Sequence, residues 1–118
     1  MTNYNRGDIV LVPFPFSNQT TTKKRPSVII SSDVYNKTNA DIIIMAITGK
    51  IDKVLSIGEY LIEDWQTAGL LKPSAIKPAI STIEQTLVLK RLSRLSPKDL
   101  IAMENTLKEL LDLKKKMP

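Results

Sequence analysis

The sequence predicts a mainly β protein, a small and strongly curved barrel of roughly five to seven short strands with one C-terminal helix. Three observations lead there. Runs rich in Val and Ile recur through the first half of the chain, each bounded by Gly, Pro, Asn or Asp, and such residues suit pleated, buried surfaces between turns. The end of the chain instead carries leucines at spacings of three and four, the signature of a helix with one apolar stripe. Finally, 118 residues with no internal repeat, linker or change of composition fit one domain over residues 1–118.

The first three strands are Ile9 to Phe14, Ser27 to Ser31 and Ile42 to Thr48. In the third, Ile42-Ile43-Ile44-Met45-Ala46-Ile47 does not alternate, which predicts a central strand covered on both faces. A short fourth strand is expected to include Ser56 to Ile62, and Asp64 to Gly69 reads as a loop leading to Lys72-Pro73-Ser74. Further short strands are expected at Ser74 to Ile76 and Ile80 to Ile83, and Thr86 to Leu95 as a strand running into a turn. Ser96-Pro97-Lys98-Asp99 then starts the helix: a serine cap, proline where its missing N–H costs nothing, and an acid three residues after the cap. Leu100, Met103, Leu107, Leu110 and Leu111 form its stripe, and Lys114, Lys115 and Lys116 suit the negative end of the helix dipole.

Composition excludes much chemistry. The chain has no cysteine and no histidine, so disulfides, thiolate nucleophiles, histidine-based triads, imidazole or thiolate zinc sites and the two-histidine ribonuclease mechanism are all ruled out by residue type. What remains is chemistry run by Arg, Lys, Thr, Ser, Tyr and carboxylates. A net charge of +5 favours a polyanionic partner, because Lys and Arg neutralise phosphates and release condensed counterions; an acidic protein fits the same charge. No apolar run approaches the roughly 20 residues needed to span a bilayer, and Met1 to Arg6 lacks the apolar core of a secretory signal. A cytoplasmic protein is therefore expected.

Taken in order, Arg6-Gly7-Asp8 with the run to Phe16, Lys24-Arg25-Pro26 with the run to Asp33, Ala46-Ile47-Thr48-Gly49-Lys50, Gly69-Leu70-Leu71-Lys72-Pro73-Ser74 and Thr82-Ile83-Glu84 resemble the MazF/PemK-like family of toxins from toxin-antitoxin systems. The resemblance covers nearly the whole chain. It implies an SH3-like barrel of the MazF/PemK (CcdB-like) type. It also implies a metal-independent, sequence-selective endoribonuclease, without cofactor, that cleaves single-stranded mRNA and leaves 2',3'-cyclic phosphate and 5'-hydroxyl ends. The implied partners are a second copy of the chain, with the active groove along or near the homodimer interface, and an antitoxin whose acidic, largely disordered segment folds into that groove.

Within that resemblance Arg25 and Thr48 inherit catalytic roles. Arg25 suits the role physically, since a guanidinium is planar, permanently charged and matches two oxygens of a phosphorane at once. Thr48, ahead of Gly49 and Lys50, offers a hydroxyl to a phosphate oxygen where glycine lets the backbone turn closely beneath it. The loop from Pro15 to Lys24 exceeds a tight hairpin and reads as a substrate-gripping flap: Phe16 to stack a base, Ser17, Asn18, Gln19 and Thr20 to meet RNA, with Asn18 and Gln19 reading base edges. Lys23, Lys24, Gly49 and Lys50 are expected against the RNA backbone, and Lys72, Ser74 or Lys77 beside the groove. Two departures stand out. The stretch from Ser17 to Lys24 holds no carboxylate where many family members carry one, and Lys77-Pro78-Ala79 replaces a Glu-Gln pair found in some. The general base stays open among Arg25, a lysine such as Lys24, and water. Two other readings are kept: a CcdB-like toxin that binds gyrase without cutting RNA, and a non-catalytic SH3-like nucleic-acid-binding module.

Overall fold

A computed structural model describes residues 3–14, 23–51 and 55–113 of the chain. Among these residues six strands and two helices follow in the order β1 (Asp8–Phe14), β2 (Lys23–Ile29), α1 (Asp33–Thr38), β3 (Asp41–Thr48), β4 (Tyr60–Leu61), β5 (Ala75–Glu84), β6 (Lys90–Arg94) and α2 (Pro97–Leu110). A 3-10 turn over Gln85–Leu87 separates β5 from β6. The strands form one antiparallel sheet in the order β4-β5-β3-β2-β1-β6, curled into a mainly β half-barrel with the C-terminal helix against it.

The unbroken apolar run of β3 is explained by two cores, one on each face of the sheet. On one face Ile9, Val28, Met45, Ile47 and Ile76 pack with Ile62, Ala68 and Leu70 and with Met103 of α2. On the other, Val10, Val12, Ile29, Ile42, Ile44, Ala46 and Ile83 form a second cluster with Tyr4 and Val88. Each fully buried Ile or Val removes about 1.5–3 kcal/mol worth of apolar surface from water, and β3 serves both layers. The helix begins as its sequence requires: the Ser96 side chain accepts from the Asp99 backbone N–H, with Pro97 next to the cap.

Four expectations are corrected. The fourth strand, expected to include Ser56 to Ile62, is only Tyr60–Leu61. The second strand spans Lys23–Ile29 rather than Ser27 to Ser31, because Lys23 to Pro26 pair with Phe14 to Leu11 of β1 although their side chains give no apolar signal. The two short strands expected at Ser74 to Ile76 and Ile80 to Ile83 are one strand, β5. Its register against β3 jumps from Met45↔Ile80 to Ile47↔Ile76, so the bulge absorbs Pro78, which has no N–H to give a ladder. Thr86 to Leu95 divides into the end of the 3-10 turn and the shorter β6. Finally, α1 was not foreseen. Six residues carry no helical period, and the helix is instead held by its Ser32 cap and by the buried Asn36 amide, which donates to Tyr4 O and Ser31 O. Lys114, Lys115 and Lys116 lie outside the described residues.

No helix among the described residues is long and apolar enough to cross a membrane.

Candidate functional site

The β2/β3 pair positions the two principal candidates. Its register runs Ile29↔Ile44, Val28↔Met45 and Ser27↔Ala46, and continuing it by two residues sets Arg25 across from Thr48. Side chains alternate along a strand, so Arg25 shares its face with Ser27 and Ile29, and Thr48 shares the same face with Ala46 and Ile44. Both therefore stand at one end of adjacent strands, on the face of the Val10 and Ile44 core. Arg25 is half-buried and Thr48 is buried to 9% exposure. The Thr48 hydroxyl accepts the Lys50 backbone N–H at 3.1 Å, which fixes its rotamer and leaves its own proton for a ligand.

Beside them opens a cleft of about 700 Å³. Leu11, Pro26, Ile47, Leu70 and Leu92 form its apolar floor, and Lys23, Lys24, Arg25, Lys72 and Lys90 form its cationic wall. Among the described residues no Asp or Glu lines it. The floor belongs to the opposite face of the sheet from Thr48, which does not line the cleft; Arg25 is reached from it at the rim. Among the described residues no three His, Cys, Asp or Glu side chains converge as metal ligands.

The loop carrying Lys72 is held at several points. Gly69 turns at φ +80, and a Cβ there would meet Leu92 O at 3.0 Å, so only glycine lets the loop dock on β6. The buried Ser74 hydroxyl donates to Lys72 O at 2.8 Å, and Ser74 O accepts from Ile62 N at 3.0 Å. Gly49 then receives the Lys72 side chain: a Cβ at position 49 would lie 2.1 Å from Lys72 Cε and 3.0 Å from its Nζ. Upstream, the buried Asp99 carboxylate gathers the Tyr60 hydroxyl at 2.5 Å and the Glu63 and Asp64 N–H groups at 3.1 and 2.8 Å. Burial works against its charge, but the Tyr60 hydroxyl and the two N–H groups outweigh that and hold the carboxyl below the ordinary range; burial and then Asp99 push the Tyr60 phenol up.

The structure thus brings Arg25, Thr48, Lys23, Lys24, Gly49, Lys50 and Ser74 to one end of the sheet. Ser74 does so with its hydroxyl engaged on the loop rather than turned outward. Lys77 pairs with Glu59 at 3.4 Å. Phe16, Ser17, Asn18, Gln19 and Thr20 lie outside the described residues. Lys90 is a lining residue that the sequence reading missed. Its neighbours Arg91 and Arg94 instead flank the buried Asp8, at 3.4 and 3.7 Å, a tertiary pairing for which the sequence carries no signal.

Comparisons with known proteins agree with the fold. The family model described as "PemK-like, MazF-like toxin of type II toxin-antitoxin system" matches residues 5–111. No curated protein sequence matches significantly. Among solved structures, the fold is similar to the Mycobacterium tuberculosis toxin MazF-mt6, with a TM-score of 0.74 at 17% identity over 92% of this chain and 99% of that one. It is similar to MazF from Deinococcus radiodurans, with a TM-score of 0.75 at 16% identity over 96% and 100%. It is likewise similar to an endoribonuclease in complex with its cognate antitoxin from a mycobacterial species, with a TM-score of 0.72 at 16% identity over 98% and 100%. At such identities these structures speak for the fold.

Proposed function

The chain belongs to the PemK-like, MazF-like toxin family of type II toxin-antitoxin systems, and from that premise we propose that it is a metal-independent endoribonuclease cutting single-stranded mRNA in the cytoplasm. One observation carries the reading: the β2/β3 register, continued two residues past Ser27↔Ala46, sets Arg25 and Thr48 on the same face at the same end of neighbouring strands, beside a cleft walled by cations and, among the described residues, free of lining carboxylates. An RNA strand laid there meets Lys23, Lys24 and Lys90 along its phosphates.

In the proposed reaction the ribose 2'-hydroxyl attacks the adjacent phosphorus in line with the departing 5'-oxygen. Negative charge gathers on the equatorial oxygens, where the Arg25 fork binds two at once and the Thr48 proton binds a third contact. The products are a 2',3'-cyclic phosphate and a 5'-hydroxyl. Residues 1–118 act as one toxin domain, as a homodimer, and are silenced by an antitoxin whose acidic segment occupies the same cations.

The test is incubation of purified protein with a mixed-sequence RNA in EDTA, followed by mapping of the new ends. Wild type should cut at a short recurring word, and Arg25→Ala should lose on the order of 10²–10³-fold or more in rate. A 2'-deoxy substitution at the mapped site should abolish cutting there. Uncut RNA with the wild type would refute the nuclease reading and leave gyrase binding or plain nucleic-acid binding.

A further inference from the structure

The reaction just described leaves one group unassigned. The 5'-oxygen departs as an alkoxide, a very poor leaving group unless something protonates it as the bond to phosphorus breaks. No histidine exists in the chain and, among the described residues, no carboxylate lines the cleft. A guanidinium yields its proton far less readily than an ammonium does, so the candidates narrow to lysines.

Among the described residues four lysines line the cleft: Lys23, Lys24, Lys72 and Lys90. Lys90 pairs with Leu11 of β1, three strands along from β3 in the sheet order. That is on the order of 14 Å at about 4.8 Å per strand, suited to a flanking phosphate and not to the one at Thr48. Lys23 and Lys24 are exposed at the start of β2 and pair through their backbone with β1, which suits them to flanking phosphates. Lys72 is different, because its stem lies across the Gly49 backbone, in the space where a Cβ would go. With its Nζ 3.0 Å from that position, and a carbon–carbon bond of about 1.5 Å, the ammonium is no more than about 4.5 Å from the Gly49 Cα. It is therefore held one residue from Thr48.

Direction matters as much as distance. Gly49 and Lys72 line the cleft and Thr48 does not, so Lys72 reaches the end of β3 from the cleft, on the other side from Thr48. In-line displacement needs such a division. Groups that hold the equatorial oxygens and the group that serves an apical oxygen must approach from different directions.

Resting on the ribonuclease reading above, we propose that Lys72 is the general acid of strand scission, protonating the departing 5'-oxygen. The O2'–P bond forms as the 2'-hydroxyl gives its proton to water. The P–O5' bond breaks, its electron pair goes to O5', and O5' takes a proton from Lys72 Nζ. The neutral amine then recovers a proton from water, so none is consumed overall. Gly49 is the positioning residue that makes room for the stem, and Ser74 anchors the Lys72 carbonyl.

The test compares two oligoribonucleotides containing the mapped cut site, one natural and one with sulfur replacing the bridging 5'-oxygen, in single-turnover reactions. A thiolate leaves without protonation. Lys72→Met should slow the natural substrate on the order of 10²–10⁴-fold and cut the sulfur substrate within about tenfold of wild type. Lys72→Arg, which keeps the charge, should show the same rescue, whereas Arg25→Ala should stay slow on both. Equal slowing of both substrates by Lys72→Met, or full activity of Lys72→Arg on the natural one, would overturn the assignment while leaving the nuclease reading intact. A wild type that cuts neither oligonucleotide would overturn both.

Discussion

Replacing Gly49 with alanine separates the position of Lys72 from its identity. The added methyl would lie 2.1 Å from Lys72 Cε, where non-bonded carbons need about 3.5–4.0 Å, so Cε must retreat by about 1.5 Å or more. Gly49 is not among the glycines with positive φ, and alanine fits its backbone. What must yield is the end of a long, exposed side chain, which costs little. Folding stability should therefore stay within about 1 kcal/mol of wild type, since lost chain freedom in the unfolded state works in the mutant's favour. Catalysis should not be spared, because a misplacement of about 1 Å in a reacting group costs on the order of 100-fold. The assay is single-turnover cleavage of the natural substrate, with binding of a 2'-deoxy version measured alongside. Cleavage should fall roughly 100-fold with binding within a few-fold, and Gly49→Ala added to Lys72→Met should cost nothing further. Losses that multiply in the double variant, or an unchanged rate in the single one, would refute the reasoning, because Gly49 would then act independently of Lys72 or not at all.

Two other outcomes follow from the same geometry. Thr48→Val keeps shape and burial but removes the hydroxyl, so cleavage should drop at least tenfold while Thr48→Ser retains most activity; equal rates for the two in single-turnover assays would remove the hydroxyl from the mechanism. Asp99→Ala strands the Tyr60 hydroxyl and the Glu63 and Asp64 N–H groups, and should cost about 3 kcal/mol, read as a fall of about 10 °C or more in Tm. Because the folded-state pKa of Asp99 is depressed, its contribution is complete above the unfolded carboxylate value near pH 4 and is lost as the pH falls through the lower native value. Thermal unfolding from pH 7 down to pH 2 should show the gap between wild type and variant closing at the acid end; parallel curves throughout would show that this carboxylate is not the group responsible.

How much of this was legible depended on where the apolar signal lay. β1, β3 and α2 could be read because Ile9 to Phe14, Ile42 to Ile47 and the stripe from Leu100 to Leu110 are driven by burial. The first half of β2 could not, since Lys23, Lys24 and Arg25 are strand only because β1 pairs with them. Pro78 looked like a break because a ladder cannot use it, yet a bulge carries β5 past it. In the site, Arg25 and Thr48 were picked out by the family resemblance of the segments that carry them, with residue type only making the roles chemically apt. The contact of Lys72 with Gly49 is tertiary and leaves no periodic trace. Nor does sequence alone tell Lys90 from Arg91, since the difference is that Asp8 sits near one and not the other.

The distribution of acids explains how a net charge of only +5 can dominate one cleft. Glu104 takes Arg6, Asp8 takes Arg91 and Arg94, Glu59 takes Lys77 and Glu63 takes Lys98, while Asp99 is spent on Tyr60 and the loop. Among the described residues Lys23, Lys24, Lys72 and Lys90 have no such ion-pair partner. Pairing elsewhere in the molecule thus concentrates the unneutralised charge at the end of the sheet where Arg25 and Thr48 stand. A carboxylate base in that cleft would weaken the field that draws in RNA. In the proposed reaction no carboxylate of the described residues takes that part, so water receives the 2'-hydroxyl proton and cations do the rest. The same field cannot distinguish a phosphate chain from an acidic peptide, so an antitoxin segment that neutralises these lysines would displace substrate and disarm Lys72 in one event.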